Sequence, residues 1–460
     1  MILAQSVIER ILDAASNGGV DFAEVFCEDT RKNTINVRNS GVSGSSTGRE
    51  SGVGIRIFSG LNCYYAYSND SREESLIRLT KELVSICKGS VIQRAPLSKM
   101  VNFDHDMITK PFEQTSYQQK IQLVDRVIRA GMDFDPEISQ MNVRYLDQDR
   151  QILIANSEGF FGCDRQRKTR MLITAYAQNG SLVRSGYYGP GAMKGLEFYD
   201  EIDLEACAHR AAQAAKTAVH ADKCPGGMMT VVVDSGFGGL MFHEACGHSL
   251  EASSVAKGNS EFSGKLGQQV ASPLVTLIDD GSLKGEWGSV HMDDEGNLGQ
   301  RNVLIENCIL KGYMIDRLEG RRMGMAATGS ARRQSYKFAP EARMTNTFIA
   351  AGTSTREEII SNTEKGLFVG NINGGSVNPA TGDFNFNTSE TWLIENGKLT
   401  RPVYGATLIG NGGQVLKQVD MVGNNLCLGQ GYCYNTSGAL FINAGQPTLR
   451  VKNILVGGLG

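Results

Sequence analysis

Short apolar segments separated by turn-forming residues dominate the chain after about residue 270. The segments 273–278 (PLVTLI), 302–306 (NVLIE) and 391–395 (TWLIE) have the length of strands, and turn signals such as Asp-Asp-Gly and Glu-Asn-Gly separate them. Glycines are concentrated in the same region, as many tight turns require. The pattern predicts a large, mainly antiparallel β domain, which we place at residues 221–460.

The first part of the chain alternates helical and strand-like patterns. Apolar residues recur at helical spacing over residues 2–17 and again over about 73–88. Between these two helices, residues 35–37 and 53–57 alternate apolar and polar side chains, as half-buried strands do. The combination predicts a small unit of helices packed on a sheet.

A similar order of elements follows a polar, proline-containing stretch at about 89–116, which resembles a linker. A helix is predicted near 117–131, strands around 150–157 and 170–178, and an alanine-rich helix over 203–219. The two units are not visibly alike in sequence, so internal duplication has little support.

The predicted fold class is therefore α+β. N-terminal α/β units, with helices packed on an antiparallel sheet, occupy residues 1–220 and can be divided further into 1–90 and 117–220. The apolar segment MMTVVVDS (228–235) is a candidate buried strand at the start of the C-terminal domain, and a helix with a histidine motif follows it.

Size and charge exclude several functional classes. A chain of 460 residues is about three times the length of a typical domain, and the net charge of -3 gives no reason to expect nucleic acid or a membrane as partner. No run of about 18 apolar residues occurs, and the N-terminus lacks the basic start of a secretory signal. The ten cysteines are scattered singly, which favours a reducing compartment. We expect a cytoplasmic protein.

Two of the six histidines lie close together in Phe242-His243-Glu244-Ala245-Cys246-Gly247-His248. In the zincin motif HExxH, two histidines four residues apart bind zinc from one helical face, and the glutamate is the general base. The spacing here is one residue longer, so on a regular helix the two imidazoles would diverge by roughly 140° around the axis. A π-type insertion would restore a common face, and Gly247 makes such a distortion plausible.

The spacing alone leaves other interpretations open. Two histidines and a glutamate on an apolar helix can equally form a hydrogen-bonded core cluster or a solvated face. A third ligand is also not defined by the pattern: Cys427, Cys433, Cys246 and Glu251 are all candidates, and most cysteines of this kind are buried structural residues.

The residues around the motif resemble the TldD/PmbA family, whose TldD-type members carry HEAxGHxLE where this chain reads HEACGHSLEA. Further similar segments follow in the family's order, strongly in the C-terminal half and loosely in the N-terminal half. They are DDEG (293–296), RRQSY (332–336), RMTNT (343–347), SETWLIENGKLTRPVYGATLIG (389–410), MVGNN (421–425) and GQPTLRV (445–451).

The resemblance implies a zinc-dependent peptidase. His243 and His248 would bind Zn²⁺ together with Cys433, which lies twelve residues before Gly445 where TldD-type proteins have their third ligand. Glu244 would be the general base. The segment after Cys433 departs from the family, reading Tyr-Asn-Thr-Ser-Gly where a Gly-Lys pair is usual.

The resemblance also implies small or unfolded peptides as substrates and a site enclosed in a dimer, either a homodimer or a heterodimer with a PmbA/TldE-like paralogue. The family contains non-catalytic subunits that lack the zinc motif, and its older name, modulator of DNA gyrase, would fit a structural zinc site in an interaction module. Retention of Glu244 favours catalysis, because a structural site needs no base.

Other charged residues receive no role in the site. The acidic run Asp293, Asp294 and Glu295 is expected to form an Asx-type turn or a solvated loop. The basic residues Arg165, Arg167, Lys168 and Arg170 are expected on the wet face of a strand. His220 and His291 are expected to be ordinary surface or hydrogen-bonded core residues.

Overall fold

Long antiparallel strands form the N-terminal part of the molecule. The computed structural model describes residues 3–39, 41–87, 91–378 and 380–459. The predicted start of the first helix at residue 2, the predicted end of the second at residue 88 and the predicted domain limits at 1, 90 and 460 lie outside these ranges. Within them the chain has an α+β fold, as predicted. The described strands of the N-terminal sheet, β1 to β8, are Phe22–Arg38, Gly41–Ser59, Asn62–Ser68, Val101–Asn102, Ile138–Asn156, Phe161–Asn179, Leu182–Tyr188 and Gly191–Ala192.

The helices are short relative to these strands, and in the described part of the chain none has both the length and the apolar composition that a membrane crossing needs. The α-helices α1 to α10 are Gln5–Ser16, Glu73–Val84, Tyr117–Met132, Phe198–Glu201, Leu204–Val219, Leu240–Phe242, Ala252–Val255, Arg317–Met323, Arg356–Ser361 and Gly412–Gln418.

The N-terminal sheet has two separate apolar cores. Its order is β3-β2-β1-β5-β6, and β4, β7 and β8 each pair with β6. Helices α1 and α2 cover β1 and β2 with residues such as Ile11 and Leu76, which pack on Val25 and Ile55. Helices α3 and α5 cover β5 and β6 in a second core around Tyr145. One continuous sheet therefore carries both helical layers.

Two further sheets build the C-terminal half. The strands β9 to β24 in the described part of the chain are Asp222–Lys223, Gly227–Val233, Leu277–Asp280, Arg301–Glu306, Ile309–Leu310, Ala331–Arg332, Glu341–Ala342, Asn346–Ile349, Lys365–Val377, Asp383–Glu395, Lys398–Tyr404, Thr407–Asn411, Val419–Val422, Cys427–Asn435, Gly438–Gln446 and Leu449–Gly457.

The order of one sheet is β17-β10-β24-β20-β18-β19-β9, with β21 paired to β24, and a pairing between β17 and β18 closes it on itself. The other has the order β13-β12-β11-β16-β23-β22, which leaves β22 at an edge. Val231, Leu367 and Val451 from the first sheet and Leu277 and Ile442 from the second belong to one large core. The mainly antiparallel C-terminal domain is thus confirmed in its strand pattern.

Several predicted elements differ in extent. The strands predicted at 150–157 and 170–178 are the ends of β5 and β6, which run through the charged residues between them. Segment 228–235 was predicted to be a buried strand, but in β10 only Val231 to Val233 are buried and Met228 is exposed. β10 is buried only where it pairs with both β17 and β24.

The wet-face interpretation of the basic residues on β6 is wrong. Lys168 and Arg170 are buried, and Arg165 and Arg167 form ion pairs with Asp149 and Asp104. The face that carries Lys168 and Arg170 is covered by the C-terminal half of the chain: Lys168 Nζ, for example, donates hydrogen bonds to backbone carbonyls of residues 287 and 289.

A buried ionic network joins the two halves. Arg56 on β2 donates to Glu24 on β1 at 2.7 Å and to Glu295 of the C-terminal half at 2.7 Å. Arg333 reaches back across the same boundary and donates to the other oxygen of Glu24 at 2.8 Å. The four side chains are almost completely buried. Buried charges of this kind depend on their partners, because nothing else solvates them.

We expect Arg56→Met to destabilise the protein by about 3–5 kcal/mol, since it leaves Glu24 and Glu295 as poorly compensated buried charges. The matched control is Arg49→Met, which removes the ion pair with Asp29 from an arginine side chain that is 55% exposed and should change stability little. Urea unfolding followed by circular dichroism measures both. Equal midpoints for the two variants would contradict a bridging role for Arg56.

Candidate metal centre

The predicted histidine motif lies on an irregular helical segment, residues 237–250. A 3₁₀ turn over Phe237–Gly239 leads into α6, a π-helical turn covers His243–Gly247, and a second 3₁₀ turn, His248–Leu250, ends the segment. The N–H of His248 donates to the carbonyl of His243, five residues back. The π-type insertion predicted from the spacing is therefore confirmed, and it turns both imidazoles to one side.

Close backbone approaches fix this segment between the two C-terminal sheets. A Cβ on Gly239 would lie 2.5 Å from backbone atoms of Gly445 on β23. A Cβ on Gly412, at the start of α10, would lie 2.1 Å from the carbonyl oxygen of Ala245 in the π turn. Glycine is therefore required on both sides of the motif for steric reasons. Phe242 and Leu250 anchor the segment in the large core.

His243, His248 and Cys433 lie together in the interior. One donor atom from each can be chosen so that all three are within 4.8 Å of one another. Cys433 Sγ is 3.2 Å from His248 Nε2, and the two imidazole rings are 5.3 Å apart between centroids at an interplanar angle of 83°. Cys433 comes from the edge strand β22, so the three residues predicted from the motif and the resemblance are brought together by two distant elements.

The chemistry of these donors fits a metal ion. His243 is 1% exposed, and neither of its ring nitrogens has a hydrogen-bond partner among the described residues. A buried imidazole without partners is costly unless something else binds it. Two imidazole nitrogens and one sulfur are donors for a tetrahedral ion, whose ligands are separated by roughly 3.3–3.6 Å, which the spacing here permits.

Two buried residues support the donors without joining them. Glu251 was a candidate ligand from the sequence. Its carboxylate instead accepts a hydrogen bond from His248 Nδ1, which lies 3.1 Å away. Arg343 donates to Cys433 Sγ at 3.0 Å, and its Nε lies 3.4 Å from Glu251. Partners of this kind fix the orientation of metal ligands. Arg343 was not predicted: its only signal was its position in the RMTNT segment.

The other cysteine candidates lie outside the cluster. Cys427 is exposed at the opposite end of β22, six residues and therefore roughly 20 Å of extended strand from Cys433. The thiol of Cys246 is buried on the other side of the π turn and faces the carbonyl of Gly412. Neither thiol reaches the two imidazoles.

The electrostatics distinguish the two histidines. Burial lowers the pKa of His243 well below its ordinary value, and the nearby positive charges of His248 and Arg343 lower it further, so this imidazole is neutral and has a free lone pair. Burial also disfavours the charged form of His248, but Glu251 and Cys433 outweigh it and raise its pKa well above the ordinary value.

Glu244 projects from the same turn as the two histidines. Its carboxylate lies 3.5 Å from His248 Nε2, and its side chain remains 21% exposed. Burial raises the pKa of Glu244, and the negative charge of Glu251 adds to this effect. A carboxylate with a raised pKa is a better proton acceptor near neutral pH than an ordinary one.

The acidic run was predicted to be a turn or a solvated loop, and only the turn is correct. Asp293 accepts hydrogen bonds from the N–H groups of Glu295 and Asn297, which is an Asx-type arrangement. All three acidic residues are buried rather than solvated, and Asp294 and Glu295 form ion pairs with Arg150 and Arg56.

The two single histidines are held by carboxylates, in agreement with the sequence-based prediction. His220 is exposed and lies 2.8 Å from Glu137. His291 is mostly buried, and its ring lies 2.8 Å from Asp164 and 3.2 Å from Asp106.

Sequence models of one family match almost the whole chain. They are the domain 1 of the PmbA/TldA metallopeptidases at residues 23–87, the central domain at 110–219 and the C-terminal domain at 226–458.

Individual proteins from bacteria and archaea are similar over their full length. A metalloprotease TldD homolog from Haemophilus influenzae is 33% identical, and the alignment covers 99% of this chain and 97% of that protein. A solved structure of a Thermotoga maritima protein superposes with a TM-score of 0.81 at 20% identity, covering 98% and 100% of the two chains. The crystal structure of TldE from Thermococcus kodakarensis superposes with a TM-score of 0.79 at 18% sequence identity, and the match covers 98% of this chain and 100% of that chain. The structural matches establish the fold.

We expect Gly412→Ala to disturb the π turn, because the new methyl group meets a backbone oxygen that cannot move away alone. The expected loss of stability is about 1–3 kcal/mol, with a lower content of bound metal. Gly413→Ala is the matched control, since its Cβ would meet only the end of the flexible Glu261 side chain. Thermal unfolding and metal analysis of both variants test this, and unchanged values for Gly412→Ala would show that the close approach is not needed.

Proposed function

Because the chain belongs to the PmbA/TldD metallopeptidase family, we propose that it is a zinc-dependent peptidase of the TldD type that cleaves small or unfolded peptides. One observation carries the proposal: His243, His248 and Cys433 converge in the interior while Glu244, on the same turn, stays accessible. The metal and its base would thus be presented together by one distorted helical turn.

The donor set would hold zinc through His243, His248 and the sulfur of Cys433. Zinc bound there supplies Lewis acidity, which polarises a peptide carbonyl and lowers the pKa of water. Arg343 donates a hydrogen bond to Cys433 Sγ and so holds the sulfur in position beside the two imidazoles. Glu251 holds His248 by Nδ1, which leaves Nε2 as the nitrogen that faces Cys433 and the metal.

Glu244 would act as the general base. Its carboxylate takes a proton from the attacking water and returns it to the leaving amine. The raised pKa of Glu244 suits both steps, since the protonated form is then accessible at neutral pH. A structural zinc site needs neither a base nor accessibility, and it has four protein donors, whereas the cluster found in the described residues has three. The donor count therefore favours catalysis.

We further propose that the enzyme acts in the cytoplasm and as a dimer, either with a second copy or with a TldE-like paralogue. The ten cysteines are all free, which fits a reducing compartment. The likeness of this fold to that of a protein named TldE supports a paralogous partner of similar shape.

Replacement of Cys433 tests the ligand set. We expect Cys433→Ser to lose most of its bound zinc, because a hydroxyl replaces the thiolate that completes the donor set. Cys427→Ser, on the same strand but exposed, should bind as much zinc as the unaltered protein. Metal analysis of the purified variants gives the answer, and full zinc content in Cys433→Ser would refute this ligand.

Replacement of Glu244 tests the base. We expect Glu244→Gln to bind zinc normally and to cleave an unstructured peptide with a kcat roughly 10²–10⁴-fold lower, because only proton transfer is lost. Glu261→Gln provides a control for removing a nearby, partly buried carboxylate outside the cluster. Undiminished cleavage by Glu244→Gln would rule out the assigned role, and loss of zinc would identify Glu244 as a ligand instead.

A further inference from the structure

A cavity at the boundary between the two halves of the molecule has an excess of positive charge. It is lined by residues of β1, β5 and β6 on one side and of the C-terminal half, including β23, on the other. Of the described residues that line it, two are carboxylates, Asp147 and Asp294, and six are cations, namely Lys32, Arg144, Arg150, Lys168, Arg332 and Arg333.

Both carboxylates already form ion pairs with other side chains. Asp147 Oδ2 lies 2.6 Å from Nζ of Lys120, a buried residue of α3. Asp294 Oδ1 lies 3.1 Å from Arg150 Nη1. Lys32, Arg150 and Arg333 are paired with Glu50, Glu28 and Glu24, which lie outside the lining. Among the described residues, this leaves Arg144, Lys168 and Arg332 as the basic side chains of the cavity without a carboxylate at salt-bridge distance.

Lys168 is the first of two buried basic side chains at the cavity that have no carboxylate partner among the described residues. It is 1% exposed, and its amino group donates to the carbonyls of Trp287 at 2.7 Å and Ser289 at 3.0 Å. The charged form of this group has three N–H donors, so one remains for a ligand. Within the described part of the chain no carboxylate lies within 4 Å of Lys168, although buried lysines are normally paired.

Arg332 is the second. It is 4% exposed, and its hydrogen bonds go to the carbonyls of Met344 and Phe441, which are neutral. Among the described residues it also has no carboxylate at salt-bridge distance. Arg333 beside it keeps a buried Nε–H without an acceptor. Positive charge and unused donors thus occur at the same cavity.

We propose that this cavity binds a small oxyanion, such as phosphate or a carboxylate, between the amino group of Lys168 and the guanidinium group of Arg332. The anion would supply the counter-charge that Arg332 lacks and that the charged form of Lys168 needs. Arg144, which also lines the cavity, is exposed, so its positive charge favours entry of an anion from solvent.

The proposed anion site shares none of its lining residues with the metal centre. Tyr432 and Phe441, which line the cavity, pair with each other across β22 and β23. Cys433 is the next residue on β22, and side chains alternate across a strand, so its sulfur lies on the opposite face of this layer. Anion binding can therefore be tested without the peptidase activity and does not depend on it.

The protonation of Lys168 gives an independent readout. Burial lowers the pKa of its amino group well below the ordinary value, and the positive charges of Arg332 and Arg150 add to this, against weaker opposing effects of Asp164 and Asp294. An anion next to the amino group favours its charged form. Binding of the anion should therefore be accompanied by uptake of a proton.

Calorimetric titration of the full chain with inorganic phosphate, and separately with acetate, tests the proposal. We expect saturable binding of at least one anion, and Lys168→Met should weaken it by at least about tenfold, since a charge-assisted hydrogen bond is lost. Arg165→Gln is the matched control: it lies on the same strand, pairs with Asp149 and does not line the cavity. Absence of binding, or equal affinity in Lys168→Met, would overturn the proposal.

Two further measurements keep the test decisive if Lys168→Met fails to fold. Arg144→Gln, at the exposed end of the cavity, should weaken binding by a smaller factor, and unchanged affinity would count against the site. Titrations of the unaltered protein in buffers with different heats of ionisation should reveal proton uptake, whereas none would place the anion elsewhere. Preference for phosphate over acetate would indicate a phosphate-bearing ligand, and the reverse a carboxylate.

Discussion

The hydrogen bond from the N–H of His248 to the carbonyl of His243 is the interaction on which the site depends. In a regular helix this N–H would bond to Glu244, and two side chains five positions apart would point in different directions. In the π turn, the hydrogen bond spans five residues instead of four, which accommodates the extra residue of the motif. Both imidazoles therefore lie on the side of Cys433. Gly239 and Gly412 allow neighbouring backbone to hold the turn in this form, so the surrounding sheets sustain the distortion.

The site residues were predicted with different kinds of information. The spacing of His243 and His248 was enough to predict the distortion that a shared metal ion would need, because helix geometry is local, but it left a metal centre as one of several interpretations until the resemblance was considered. Cys433 could be selected only through the resemblance to the TldD/PmbA family, since the pairing of β22 with β23 that orients it is not visible in the sequence. Arg343 was missed for the same reason: its contact with Cys433 spans 90 residues of chain.

The fold class and the four longest helices of the described part, α1, α2, α3 and α5, were also predicted, whereas the charged parts of β5 and β6 were not. Charges that alternate along a strand indicate a polar environment, but they do not distinguish water from a second polar surface. Here that surface is the C-terminal half, and Lys168 is buried beneath it. The ionic network around Arg56 has the same origin. The division of the chain into domains at residues 220 and 221 stays a prediction. Many buried contacts connect the two halves, so the positions of the strands do not by themselves define a domain boundary.

The wide separation of the proposed ligands along the chain affects how the protein matures. His248 and Cys433 are 185 residues apart, and Cys433 belongs to one of the last three strands. During synthesis from the N-terminus, the two imidazoles emerge long before the thiol, so a nascent chain offers an incomplete donor set until nearly all of it has been made. Once a metal ion is bound, its coordination would link the early π turn to the late strand β22. It would thereby stabilise the finished C-terminal half for as long as the metal stays bound.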